Sequence, residues 1–212
     1  MPSEPVRPET LEARIVALEG EVTRLREENR RWARLAGTDA LTGLPNKISF
    51  LRAFVPQIFK TAAEEQQSVG FLLVSPDDLG AVNETHGREA GDQVLKGLGA
   101  LIQSLVGDAG RLGLLDGSNF VLMMYPSTVE EARGRGNMIR ARVRTHAFPC
   151  VDGTAQITVS AGVTIAEPEV GDDLQALSEE RMSTLNQALF MAKKAGGNRV
   201  ELVLEQNGSV TS

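Results

Sequence analysis

The feature that most constrains the fold is a heptad repeat near the amino terminus. Its core positions are separated alternately by four and three residues, and they are Leu11, Ile15, Leu18, Val22, Leu25, Asn29 and Trp32. Branched Ile15 and Val22 at a positions, with leucines at d positions, favour a parallel two-stranded coiled coil, and Asn29 at an a position agrees with it. We therefore predict a coiled coil over residues 10–37 that joins two chains into a homodimer. The alternative is a single amphipathic helix that folds back on its own domain, since isolated helices of this length are marginal in water.

After the coiled coil, the hydrophobic pattern predicts one α/β (α+β) domain over residues 38–204. Short apolar runs typical of strands alternate with helical patterns. The strands are predicted at 69–75, 110–115, 119–125, 155–166 and 198–204, and the helices at 46–59, 89–105, 129–146 and 174–195. Asp116-Gly117 lies between the second and third strands, where this dipeptide is a strong hairpin signal. Residues 1–9 are expected to form a disordered leader, and residues 205–212 a flexible tail.

Composition excludes several classes of function. The 22 basic and 28 acidic residues give a net charge of −6, and the aromatic residues are seven Phe, one Tyr and one Trp. An acidic chain with few aromatic side chains is poorly suited to nucleic-acid binding. One cysteine and two histidines provide no zinc-binding cluster. No apolar run approaches the length of a membrane span, so we expect a cytoplasmic protein.

Four motifs in the predicted domain resemble those of one family. They are DALTGLPN at 39–46, NETHGREAGD at 83–92, TVSAG at 158–162 and ALFMAKKAGGNRV at 188–200. Their sequences and their order are similar to those of GGDEF domains, the diguanylate cyclase family. The resemblance covers nearly all of residues 38–204. It implies the family's palm-like fold, with a central, mostly antiparallel five-stranded sheet flanked by helices.

The resemblance also identifies the positions at which the family's metal ligands would lie. Active members condense two GTP molecules into cyclic di-GMP, and this chemistry uses divalent metals held by carboxylates. Ser75 lies where the first metal-binding aspartate is found in the family. The signature G-G-D-E-F falls on five consecutive residues, Asp116, Gly117, Ser118, Asn119 and Phe120. We predict that no catalytic residue and no metal site remain, because Ser75, Ser118 and Asn119 carry no carboxylate.

Two questions about this region stay open. An alignment that matches Arg111 and Gly113 to the residues before the signature would need a three-residue insertion. We prefer the ungapped alignment, which places Asp116-Gly117 in a two-residue turn; neither alignment restores the paired acids. Asp77, Asp78 or Asp116 could act as substitute metal ligands.

Three residues match family positions that contact the nucleotide. Asn83 and Asp92 correspond to the residues that bind the guanine edge, and Lys193 to a lysine that contacts the triphosphate. An amide and a carboxylate are chemically suited to guanine, whose ring and exocyclic amine donate hydrogen bonds. In the alternative interpretation, Asn83 caps the next helix, Asp92 is an ordinary acid of its first turn, and Lys193 is solvated.

The favoured hypothesis is a catalytically inactive, dimeric signalling or scaffold protein. It would act by binding a partner protein, with GTP as a candidate modulator and no required cofactor. One alternative is a divergent nucleotidyl cyclase that uses magnesium and substitute carboxylates. Another is a receptor that binds a guanine nucleotide at Asn83 and Asp92.

Overall fold

The structure, a computed structural model, describes residues 13–25, 37–151 and 153–204 of the chain. The chain divides into two compact units, Met1–Thr38 and Asp39–Ser212. The predicted leader and tail lie outside the described residues. Within the described part of the chain, no helix is long and apolar enough to cross a membrane.

In the first unit, helix α1 is described over residues 13–25. Four predicted coiled-coil positions lie in it: Ile15, Leu18, Val22 and Leu25. Their apolar side chains are between 43% and 53% exposed. The positions Leu11, Asn29 and Trp32 lie outside the described residues. The described residues are helical as predicted, while the parallel dimer stays a prediction.

A five-stranded sheet in the order β2-β3-β1-β6-β7 forms the centre of the second unit. Its strands are β1 (Val69–Pro76), β2 (Gly110–Asp116), β3 (Asn119–Met124), β6 (Val159–Ala166) and β7 (Val200–Leu202). Neighbouring strands are antiparallel, except that β6 and β7 are parallel. All eight residues of the central strand β1 are buried, as its unbroken apolar sequence predicts. The predicted α+β fold with a mostly antiparallel five-stranded sheet is confirmed.

Helices cover both faces of this sheet. They are α2 (Lys47–Ser49), a π-helical turn (Phe50–Phe54), α3 (Val55–Glu65), α4 (Leu79–His86), α5 (Arg88–Val106), a 3₁₀ turn (Gly107–Ala109), α6 (Val129–Thr145) and α7 (Leu174–Lys194). Because side chains alternate along a strand, Leu72 and Val74 of β1 pack in one core cluster with residues of α5 and α6. Phe71 and Leu73 pack in a second cluster with residues of α3 and α7. The sheet is therefore covered on both faces and leaves only its edges and ends for chemistry.

The hairpin between β2 and β3 differs from the prediction by one residue. Asp116 pairs with Asn119, so the two turn residues are Gly117 and Ser118. The predicted placement of Asp116-Gly117 in the turn is wrong. Of the two turn residues, only Gly117 has a positive φ, 53°. Positive φ at the first turn residue is the requirement of a type II′ turn, which glycine meets without strain.

Two further elements differ from the sequence pattern. Helix α4 is separate from α5 because Gly87 between them has a φ of 81°. A two-stranded sheet pairs β4 (Phe148–Cys150) with β5 (Gly153–Ala155), so the strand predicted over 155–166 is interrupted before β6. Three-residue strands are too short to show alternation, and the proline in β4 argues against a strand at sequence level.

Candidate functional site

Ser75, Lys193 and the β2–β3 turn lie together at the end of the sheet where β1 ends. The strand register pairs Val74 with Phe120 of β3, and Ser75 with Ser160 of β6. Because β3 and β6 are antiparallel to β1, both begin where β1 ends. The β2–β3 turn, which carries Ser118, therefore lies at the same end of the sheet as Ser75.

Ser75 is buried at this end of the sheet and contacts a lysine from helix α7. Only 1% of the residue is exposed. Nζ of Lys193, in the last turn of α7, donates to Ser75 Oγ over 2.8 Å and lies 3.5 Å from the carbonyl oxygen of Pro76. The end of β1 thus has a neutral hydroxyl paired with an ammonium group.

Asp77 follows β1 and joins three segments of the chain. Its carboxylate accepts hydrogen bonds from Thr158 Oγ1 at 2.7 Å, Ser160 Oγ at 2.8 Å and the backbone N–H of Asn198 at 2.8 Å. Its own backbone N–H donates to the carbonyl oxygen of Thr158 over 2.8 Å. These four bonds fix the end of β1 to the start of β6 and to the turn before β7.

The same turn is shaped to fit around the Asp77 carboxylate. Gly197 has a φ of 70°, and a Cβ added there would lie 3.1 to 3.2 Å from three carboxyl atoms of Asp77. Asn198 follows with a φ of 48°. Both residues adopt the left-handed conformation that glycine and asparagine tolerate best.

The carboxylates of the other two candidate metal ligands, Asp78 and Asp116, are not held by hydrogen bonds as Asp77 is. Asp78 is the N-cap residue of α4, with a φ of 54°, and its side chain makes no cap hydrogen bond. Asp116 is exposed at the end of β2. Among the described residues, neither carboxylate takes part in a hydrogen bond or an ion pair. Over the same part of the chain, no group of three or more His, Cys, Asp or Glu residues is placed to hold a metal ion.

The two candidate guanine-binding residues lie on the adjacent helices α4 and α5. A Cβ added at Gly91 would lie 1.9 Å from Asn83 Oδ1, so Asn83 packs directly against the backbone of α5. Asn83 does not cap α5, whose N-cap is Gly87, and the capping interpretation is wrong. Asp92 is exposed, one residue beyond this contact. Lys193 is held separately, at the end of β1.

Sequence reasoning missed the residues that hold Asp77. Thr158 and Ser160 belong to the TVSAG motif, and their spacing of two places them on one side of an extended strand. That spacing could have indicated a shared polar partner. Nothing in the local sequence indicates that this partner follows β1, about 80 residues earlier.

Comparisons with known proteins agree with this architecture. The sequence model of the family described as "Diguanylate cyclase, GGDEF domain" matches residues 36–199. Diguanylate cyclase DgcZ of Escherichia coli is 31% identical over 169 residues, which is 80% of this chain and 54% of that protein. The chain spans between 17% and 55% of the length of this and the other curated relatives first matched.

Two solved structures share the fold. The coiled coil and GGDEF domain of DgcB from Caulobacter crescentus, in complex with c-di-GMP, superposes with a TM-score of 0.77 at 25% identity, covering 92% of this chain and all of that one. Diguanylate cyclase SiaD from Pseudomonas aeruginosa, in complex with its activator SiaC, gives a TM-score of 0.72 at 23% identity, covering 92% of this chain and 72% of that one.

Proposed function

The chain belongs to the diguanylate cyclase GGDEF domain family, and we propose that it is a member that no longer condenses GTP. In this proposal it acts as a homodimeric signalling protein that binds a partner protein. The observation that carries the proposal is the pairing of Ser75 with Lys193 at the end of β1. A carboxylate is needed at this place for metal-assisted phosphoryl transfer.

The residues at the end of β1 and in the β2–β3 turn do not fit a magnesium ion. Magnesium prefers carboxylate oxygens in a near-octahedral arrangement. Ser75 offers a hydroxyl, and Ser118 and Asn119 offer neutral groups, so none of the three positions supplies a carboxylate. The proposed function therefore involves no metal-dependent step.

Asp77 is a poor substitute for the missing ligands. Its two carboxylate oxygens already accept three hydrogen bonds from Thr158, Ser160 and Asn198. Binding a metal would break some of these bonds and leave partly buried donors unsatisfied, which costs about 1–3 kcal/mol for each group. Asp78 and Asp116 have no such partners, and they keep the cyclase alternative open.

A nucleotide receptor is the second alternative. It is favoured by the packing of Asn83 against Gly91 of α5, because Gly91 is the residue before Asp92 and this contact brings the two candidate guanine-binding residues close together. GTP would then modulate partner binding without being consumed.

The first experiment measures GTP binding by calorimetry, with and without magnesium, and assays the same sample for cyclic di-GMP. We expect no cyclic di-GMP, because Ser75, Ser118 and Asn119, which lie at the family's metal-ligand positions, carry no carboxylate. Ser75→Asp alone should not restore product, since the acids at Ser118 and Asn119 are still missing and the new carboxylate would pair with Lys193.

The outcomes separate the three functions. Magnesium-dependent binding with product would replace our proposal with the cyclase alternative and would direct attention to Asp78 and Asp116. Binding without product, weakened by Asp92→Asn, would support the receptor. Absence of both binding and product would leave the protein-binding function alone.

The proposed dimer depends on the apolar positions of α1. The chain should sediment as a dimer at micromolar concentration, and Val22→Glu should give a monomer because it places a charge in the predicted seam. Val16→Glu is the matched control, since Val16 is 68% exposed and lies at an outward heptad position. A wild-type monomer, or equal effects of the two substitutions, would contradict the coiled coil.

The proposal of a protein partner rests on the fold family and on the expected loss of turnover. SiaD, which shares the fold, is a diguanylate cyclase that forms a complex with an activator protein. A protein that contains this fold can therefore form a complex with another protein, and a chain that has lost turnover could retain that role.

A further inference from the structure

A cavity lies beside the turn that joins β1 to α4. Its volume is about 490 Å³, within the range of about 300–1,000 Å³ typical of small-molecule sites. It is lined by Asp77, Asp78, Ala81, Val82, Thr85, His86, Arg144, Thr154, Ala155, Gln156, Ile157 and Thr158. We call it the α4 cleft, since one wall is helix α4 and the opposite wall is the segment that joins β5 to β6.

The base of the α4 cleft is apolar. Ala81 and Val82 contribute to it from α4, and Ala155 and Ile157 from the opposite wall. Val82, Ala155 and Ile157 are each less than 9% exposed, because they also pack in the core cluster beneath. An apolar group of a ligand could therefore be buried on a surface that is already fixed by the core.

Two opposite charges line the cleft without partners. Asp78 is at the start of α4, and Arg144 is in the last turn of α6. Among the described residues, neither side chain makes a hydrogen bond or an ion pair, and the two do not pair with each other. His86, Gln156 and threonine hydroxyls supply further polar groups around them.

The conformation of Asp78 is consistent with a binding role. Its φ of 54° and ψ of 31° are left-handed, a conformation that is unfavourable for residues other than glycine, although asparagine and aspartate visit it. Residues held in sparsely populated conformations concentrate at ligand-binding sites. Asp77 next to it is fixed by its three hydrogen bonds, so the wall that carries Asp78 is rigid.

The α4 cleft is separate from the candidate nucleotide-binding residues. Asp78, Ala81, Val82 and Thr85 recur with helical spacing and line one side of α4. Asn83, in contrast, packs against Gly91 of α5, and neither Asn83, Asp92 nor Lys193 lines the cleft.

We propose that the α4 cleft binds a small zwitterion with an apolar side chain, an amino acid or a dipeptide. The guanidinium of Arg144 binds its carboxylate, as arginine does in two-pronged recognition of carboxylates. The carboxylate of Asp78 accepts hydrogen bonds from its ammonium group. The apolar side chain lies on Val82 and Ile157.

The test uses calorimetry on the full chain with L-phenylalanine and the dipeptide L-leucyl-L-phenylalanine as probes. Two analogues separate the charges: 3-phenylpropanoate lacks the ammonium group and phenethylamine lacks the carboxylate. We expect saturable binding of at least one zwitterion and binding about 10-fold or more weaker for both analogues, because each analogue lacks one of the two charge-assisted interactions with Arg144 and Asp78. Tighter binding of the dipeptide would identify the cleft as a dipeptide site, and tighter binding of the free amino acid would identify it as an amino-acid site.

Substitutions assign the binding to the cleft. Arg144→Gln and Asp78→Asn should each weaken binding about 10-fold or more, and asparagine tolerates the left-handed conformation of residue 78. The matched controls are Arg142→Gln, on the same helix, and Glu84→Gln, on α4; neither residue lines the cleft, and both variants should bind as the wild type does. Circular dichroism checks that each variant is folded.

Several results would overturn the proposal. They are absence of binding by both zwitterions, equal binding of the single-charge analogues, or binding that Arg144→Gln and Asp78→Asn leave unchanged. Loss of binding in Asp92→Asn rather than in the cleft variants would also overturn it, since it would place the ligand at the nucleotide-binding residues.

Discussion

Asp77 and Asp78 are neighbours in the turn after β1, and both line the α4 cleft, but their carboxylates differ in how they are satisfied. Asp77 accepts three hydrogen bonds, and Lys193 donates to Ser75 nearby. Asp78, like Arg144, has no hydrogen-bond or ion-pair partner among the described residues. Asp77 therefore stabilises the fold, whereas the carboxylate of Asp78 is available for a ligand.

The difference between the two aspartates follows from how deeply each is buried. A partly buried carboxylate is costly to leave unpaired, so an acid retained at the end of β1 needs donors. Asp77 obtains them from β6 and from the turn before β7. An exposed carboxylate such as Asp78 is solvated and carries no such requirement. The partly buried acid therefore stabilises the fold through its hydrogen bonds, whereas the exposed acid remains available to bind a ligand.

Identical substitutions of the two aspartates should differ most in their effect on stability. Asp77→Asn should lower the free energy of unfolding by about 2–4 kcal/mol, because an amide cannot accept all three hydrogen bonds and the charge is lost. Asp78→Asn should change it by no more than about 0.5 kcal/mol, as is usual for exposed positions without partners. Urea unfolding followed by circular dichroism measures both.

The control for Asp77→Asn is a substitution of one of its donors. Thr158→Val removes one hydroxyl and should cost less than Asp77→Asn, because Ser160 and Asn198 still donate. Equal stability of the Asp77→Asn and Asp78→Asn variants would mean that the hydrogen bonds around Asp77 contribute little. The distinction between the two aspartates would then be wrong.

Much of the fold could be predicted from the sequence because its strands are strongly apolar and its motifs occur in a recognisable order. The run 69–75 predicts the central strand, which the structure places at Val69–Pro76. The separation of α4 from α5 was not predicted, since it depends on the backbone conformation of Gly87. The strands β4 and β5 were missed because three residues are too few to show a period.

The candidate site was predictable in its residue positions and unpredictable in its contacts. The motifs identify Ser75 and Lys193, but the hydrogen bond between them joins residues 118 positions apart and depends on how α7 packs. The three donors to Asp77 likewise come from distant segments. The α4 cleft leaves no sequence signal at all, because its walls come from α4, α6 and the segment between β5 and β6.

A smaller effect on stability is expected at the turn before β7. Gly197 and Gly43 have nearly equal φ angles, 70° and 71°, but only Gly197 lies close to the Asp77 carboxylate. Gly197→Ala should lower the free energy of unfolding by about 1–2 kcal/mol more than Gly43→Ala. Both substitutions introduce the same left-handed strain, whereas a Cβ at residue 197 would also lie 3.1 Å from Asp77, tighter than ordinary van der Waals contact. The difference between the two variants in urea unfolding isolates that contact. If the two alanine variants lose equal stability, the turn can move away from Asp77. The connection between Asp77 and this turn is then looser than its hydrogen bonds imply.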